Sequence, residues 1–176
     1  MNFIFTEEQL QFKDTIKAFL NDECTPKSIR SGWASKQSFN QNRWKGLADL
    51  GVLGSNLPED SGGLGMDQVA LVLMVEEMGY AGLPEPAAEQ TFLINDLLHL
   101  LPPEMQENIQ EHHMSGASYI SVAHPLAPNP LFLNESAGLL VFKEDSYQFV
   151  SKNDIEFEEV TSNDPSRELA KITSIK

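Results

Sequence analysis

Few residues of this chain combine the type and the spacing that chemistry needs. His112 and His113 are adjacent, and neighbours on a helix point about 100° apart, so they cannot easily reach one ion. No second ligand cluster accompanies them, and metal binding is not expected. Gly62, Gly63 and Gly65, in the stretch LPEDSGGLGMD at 57–67, invite a phosphate-loop reading. The pattern is not G-x-x-x-x-G-K-[ST], however, no lysine follows and no strand precedes it. The glycines read instead as a tight structural turn, with Asp67 as the N-cap of the next helix. Cys24 is the single cysteine, which rules out an internal disulfide; it reads as a half-buried apolar residue rather than a nucleophile. Glu85 and Glu89 bracket a loop next to Gln90, Thr91 and Phe92, and His124 stands before Pro125 at the end of an apolar run. No catalytic residue can be named from spacing alone.

The elements that must position these residues follow from patterning. Thr6 and Gln9 form a capping box, with Phe5 and Leu10 placed as a hydrophobic staple; Phe12, Ile16, Phe19 and Leu20 then recur at helical spacing. Pro26 limits that helix. A second helix is expected from Ser38, with Gln41 at capping-box spacing, Trp44, Leu47 and Leu50 on one face, and Gly51 at its end. A third, over roughly 67–79, is nearly all apolar from Val69 to Val75 and reads as central and buried on most sides. Glu76 and Glu77 fall at its end, where the helix dipole disfavours acids; an exposed last turn accounts for them best, with a salt bridge or a partner contact as the alternative. Further helices are expected over 85–100 and 103–114, separated by Leu101-Pro102-Pro103.

Near residue 115 the period changes. SYISV (118–122), AGLLVF (137–142), YQFV (147–150), DIEFEEV (154–160) and ELAKITSI (168–175) read as strands, with a hairpin turn at 144–146. HPLAPNP, 124–130, holds too many prolines for strand or helix. The expected class is α+β: a helical domain over 1–114, then a small antiparallel β domain over 115–176.

Composition bounds the function. The chain has 176 residues and a net charge of −14, from 26 acidic and 12 basic residues, so no basic stripe is available to neutralise nucleic-acid phosphates. No apolar run reaches the ~18 residues of a membrane span. The opening MNFIFTEEQ carries acids where a targeting peptide carries bases, and a cytoplasmic location is expected.

Three stretches taken in order resemble one family. FTEEQLQFKDTIKAFL, WKGLADLGVLGSNLPEDSGGLGMD and VEEMGYAG are similar to the first helix, the helix-plus-glycine signature and the following helix end of the acyl-CoA dehydrogenases. The resemblance implies an N-terminal helical domain followed by a middle β domain. The family's C-terminal four-helix bundle, which carries the glutamate base, is expected to be absent. The chain therefore reads as the N-terminal and middle portion of an FAD-dependent enzyme that forms an α,β double bond in an acyl-CoA thioester.

The resemblance also carries site residues. Where many members have a TEP-type motif meeting the flavin, this chain has Ala123-His124-Pro125, so Val122, Ala123 and His124 are the implied cofactor contacts. The helix that floors the acyl pocket in relatives places Gln90, Phe92 and Leu93 as implied substrate contacts. The threonine and glutamate of the motif, and the tryptophan of the usual flavin strand, are missing. The segment from Leu139 to Ile172, with a D-x-x-R turn at 163–167, is similar to shortened members of sterol side-chain breakdown. A second reading follows: a flavin-less, dehydrogenase-like partner subunit supporting a catalytic one. Either reading implies homo- or hetero-oligomers with dehydrogenase-like subunits and no membrane insertion, and apolar surface left open predicts self-association.

Overall fold

The computed structural model describes residues 4–101 and 103–176. The first three residues of the expected opening segment, and Pro102 of the expected helix break, lie outside the described residues.

Helix α1 (Glu7–Glu23) starts as its sequence requires: Thr6 Oγ1 accepts from Gln9 N, and Gln9 Oε1 accepts from Thr6 N. The Gln9 amide also donates to both carboxylate oxygens of Asp67 at 3.0 Å. Asp67 is the N-cap of α4 (Gln68–Ala81), so the starts of the two helices are tied together. Phe5 and Leu10, placed as a staple, stay 43% and 42% exposed.

The two helices pack side by side. Ile16 and Leu20 of α1 and Leu71, Met74 and Met78 of α4 enter one core with Trp44, Leu47, Val52 and Leu53. At about 2 kcal/mol for each fully buried large aliphatic side chain, this face is the main source of helical stability. Glu77 is buried and meets Lys13 at 3.2 Å and Lys17 at 3.6 Å, so for this residue the salt bridge holds and the exposed last turn does not. The far side of α4 is open, with Val72 60% and Tyr80 86% exposed.

Pro26 does more than stop α1. It is the first residue of α2 (Pro26–Ser35), capped by Thr25, whose side chain accepts from Ser28 N; proline suits that position because its missing N–H would have had no partner. Helix α3 (Gln41–Asp49) is capped by Asn40, not Ser38. Ser38 instead donates its N–H to Glu168 (2.6 Å) and its hydroxyl to Pro165 O (2.9 Å), a long-range tie that outcompetes a local cap. In the glycine loop, Gly62 has φ +80°, and a Cβ on Gly63 would sit 2.1 Å from Leu57 O. Both positions demand glycine, the first for conformation and the second for space.

The segment expected as one helix over 85–100 is composite. A turn of α5 (Ala87–Glu89) passes into a π-helical turn (Gln90–Ile94), then α6 (Asn95–Leu97) and a 3-10 turn (Leu98–Leu100). Helix α7 (Pro103–Met114) follows. Strands β1 (Ile120–Ala123), β2 (Gly138–Phe142) and β3 (Tyr147–Ser151) form one sheet; β4 (Ile155–Val160) and β5 (Leu169–Ile175) form a second. The expected antiparallel pairing holds for β2–β3 and β4–β5, whereas β1 runs parallel to β2. A parallel neighbour needs a crossover, and the proline-rich 124–137 segment provides it. Tyr119 and Phe132 from the β region pack on Phe39, and Tyr119 on Trp44 as well, with ring centroids 5.4–5.8 Å apart. The aromatic cluster thus fastens the crossover to the helical core.

Candidate functional site

A cavity of about 500 Å³ lies where the π-turn faces the edge of β1. Gln90 and Leu93 line it from the helical side, Val122 and His124 from the strand side, and Leu131 and Arg167 close it from the crossover and the turn before β5. π-turns inside helices recur at functional sites.

Gln90 is fully buried, and its amide is consumed by the backbone: Nε2 donates to Ile120 O (2.8 Å) and Oε1 accepts from Ile120 N (3.1 Å). It acts as a substitute strand, pairing the edge of β1. Successive residues of a strand turn their N–H and C=O to opposite sides. Ile120 turns to Gln90 and His124 turns to Ala127, so Val122 between them presents its N–H and C=O to the same edge, facing the cavity. Ala123 turns the other way and packs in the sheet core with Leu133, Leu139 and Val150.

His124 sits at the mouth. His124 N donates to Ala127 O (3.1 Å) and Ala127 N to His124 O (2.8 Å), a tight reversal. Its ring accepts from Leu126 N at Nδ1 (3.2 Å) and lies 5.7 Å from the Phe142 ring.

The crossover wall is held from below. Leu131 O accepts from Ser121 Oγ (2.7 Å) and Tyr119 OH (2.9 Å), and the Tyr119 hydroxyl also reaches Phe132 O. Burial pushes the Tyr119 phenol well above its ordinary range, with Glu135, Glu168 and Glu89 adding to it, so it remains a donor. Phe132 has φ +47°, an unfavourable backbone for a bulky residue, kept in place by these bonds and the aromatic packing.

Of the six residues implied by resemblance, the fold gathers Gln90, Leu93, Val122 and His124 around the cavity. Phe92 packs against the main helical core and Ala123 against the sheet core. Arg43 carried no sequence signal, and spacing did not show what Arg167 and Glu85 do. Arg167 borders this cavity and also a larger cleft of about 590 Å³ beneath α2 and the end of α4. Arg43 and Glu85 form a buried bidentate pair, Nε to Oε2 at 2.7 Å and Nη2 to Oε1 at 2.6 Å, and Glu85 also accepts from Asn40 N. Burial works against the Arg43 charge, but Glu85 outweighs it, and the guanidinium pKa is raised on balance. This pair seats the 83–86 loop that leads into the π-turn. Cys24, on the wall of the larger cleft, has its thiol pushed up to about 11, chiefly by burial, which leaves little thiolate at neutral pH. His113 is buried alone, its Nε2 3.0 Å from Leu53 O. Among the described residues no helix is long and apolar enough to cross a membrane.

Comparison with known proteins places this arrangement. Residues 6–117 match the family model for the acyl-CoA dehydrogenase N-terminal domain. The acyl-CoA dehydrogenase IpdE2 of Mycobacterium tuberculosis is 24% identical over 169 residues, 96% of this chain and 52% of the relative. Among solved structures, the ChsE4–ChsE5 complex of Mycobacterium tuberculosis superposes with a TM-score of 0.80 at 17% identity, covering 99% of this chain and 56% of that one. An acyl-CoA dehydrogenase complexed with FAD from Bacillus anthracis gives 0.71 at 16% identity, with 97% and 36% covered. The chain belongs to the acyl-CoA dehydrogenase family, and it spans about half the length of the curated relative quoted.

The edge of the cavity fits a flavin on chemical grounds. The N–H and C=O that strand alternation turns toward the cavity at Val122, and the His124 ring two residues on, supply donors and acceptors of the kind that the rim of a flat heteroaromatic ring can meet.

Proposed function

We propose that this chain forms the helical and middle portion of an FAD-dependent acyl-CoA dehydrogenase, which introduces an α,β double bond into an acyl-CoA thioester. The observation that carries the reading is the cavity between the π-turn and the edge of β1, in a chain of this family. In it Leu93 and Leu131 supply apolar wall for the acyl group, and the Val122 backbone with His124 would hold the flavin rim. When bound, FAD supplies the acceptor for the β-hydride. Gln90 has a positioning role, since both ends of its amide are already paired with Ile120. The walls exclude water from the acyl group, and the edge fixes its orientation. The reading assigns no base among these residues; a carboxylate must reach the α-proton, and Glu89 is the one carboxylate lining the cavity among the described residues.

A second reading has its own observation. Ala123 and His124 stand where the family loop has its hydroxyl and its acid, which favours a dehydrogenase-like partner that shapes a site in a heteromer. The visible spectrum of the purified protein separates the two. Flavin bands that bleach on adding a saturated acyl-CoA support the enzyme. A colourless protein that copurifies with, and activates, a flavin-bearing dehydrogenase supports the partner. A colourless protein that does neither overturns both.

A further inference from the structure

We propose that His124 is locked with its ring proton on Nε2 and serves as a fixed hydrogen-bond donor to a carbonyl oxygen of whatever occupies the cavity. The inference rests on the reading of the cavity as a ligand site and adds a residue to it. The geometry is specific. A backbone N–H can only donate, so the bond from Leu126 N to Nδ1 requires that nitrogen to be unprotonated. In the neutral ring the proton is then on Nε2. Two contacts orient the ring, the Leu126 bond and the Phe142 ring 5.7 Å away, and the paired His124–Ala127 backbone fixes the turn that carries it. Nε2 has no partner among the described residues, and the residue borders the cavity. Asn129 and Arg167 also border it, but no hydrogen bond fixes their side-chain heads among the described residues.

This assignment selects for a ligand with an acceptor at the mouth. A thioester carbonyl and a flavin carbonyl share that chemistry, so both belong in the test. Substitution separates the two ring nitrogens. Asparagine places Oδ1 where Nδ1 stands, keeping the Leu126 bond and losing the outward donor. Glutamine extends an N–H to the position of Nε2 and loses the inner acceptor.

The experiment has two parts. Long-range 1H–15N spectra of the imidazoles are tractable with four histidines, and the signals missing from His124→Asn identify His124. The expected pattern is an unprotonated Nδ1 and a protonated Nε2 that shifts on adding octanoyl-CoA or FAD. Titration calorimetry with each probe then reads affinity. His124→Asn should bind the recognised probe ~10-fold more weakly, the scale of one hydrogen bond, while His124→Gln stays within ~3-fold of the parent. Which probe responds names the source of the carbonyl. A protonated Nδ1 overturns the proposal with no ligand needed, and the signals missing from His124→Gln make the same assignment where His124→Asn fails to fold. So does the opposite order, Gln weakened and Asn unchanged, which marks His124 as support for the turn only. Binding of either probe with Nε2 unmoved overturns it while leaving the function standing. An unprotonated Nδ1 in a protein that binds neither probe, alone or with a dehydrogenase partner, overturns the function and this proposal with it.

Discussion

Acid should destabilise this protein through His113. His113 is 1% exposed, its Nε2 lies against Leu53 O, and its Nδ1 has no partner. Burial lowers its pKa from 6.5 to about 4, with the Leu53 hydrogen bond opposing in part. The unfolded chain therefore takes up a proton near pH 6.5 that the folded chain refuses until about pH 4. The stability tied to the neutral ring is fully present above pH 6.5, falls as pH drops through that window, and is gone below pH 4. At about 1.4 kcal/mol per pH unit the whole effect is roughly 3 kcal/mol, of which about 2 kcal/mol is lost by pH 5. That is a large share of the stability of a small domain. His113→Gln keeps an N–H near the position of Nε2 and removes the titration. Urea unfolding of both proteins at pH 7.5, 6.5, 5.5 and 4.5 isolates the term, because other titrating groups cancel in the difference. The expected result is a parent-minus-variant stability difference that drops, relative to pH 7.5, by about 1.4 kcal/mol at pH 5.5 and about 2.5 kcal/mol at pH 4.5. Two parallel curves would refute the assignment of a buried, neutral His113.

Other substitutions test the framework. Arg43→Met leaves the Glu85 carboxylate buried without its partner and should cost ~3–5 kcal/mol in urea unfolding, whereas Arg43→Met with Glu85→Leu should recover much of that loss. Gly63→Ala drives a Cβ into Leu57 O and should destabilise by ~3 kcal/mol, the upper end for overpacking; a loss under ~0.5 kcal/mol would mean the loop moves freely. The open apolar side of α4 should promote self-association. Val72→Lys with Tyr80→Lys should shift sedimentation toward monomer, and an unchanged profile would remove that face from any interface.

Legibility in the sequence followed the range of the interactions. The Thr6–Gln9 capping box, the Asp67 cap and the turn of Gly62 and Gly63 are local, with each partner within about six residues, and they stand as read. The five strands fall within a residue or two of their expected bounds because alternation reports a half-buried face directly. Ser38 shows where local reading stops: its pattern promised a cap, but Glu168, 130 residues away, took the bond. Helix α2 was missed because proline signals both an end and a start. The parallel pairing of β1 with β2 has no local signature at all. In the site, resemblance supplied the neighbourhood but not the orientation of each side chain. Strand alternation turns Ala123 inward and the π-turn sends Phe92 to the core.

The same long-range bonds explain why the cavity is a stable feature and not a gap between packed layers. Its helical wall is set by Gln90 on Ile120 and, one loop earlier, by Glu85 on Arg43. Its crossover wall is set by Tyr119 and Ser121 on Leu131 O. Each of these uses a buried polar group, costly if unpaired and directional when paired, so collapse of the cavity would leave several such groups unsatisfied at once. The edge of β1 is treated differently. Ile120 is closed by Gln90 and His124 by Ala127, while strand alternation turns the backbone of Val122 between them toward the cavity. A pair of backbone groups turned to the cavity is what a bound planar ring or thioester can complete, and two residues on stands His124, whose Nε2 has no partner among the described residues.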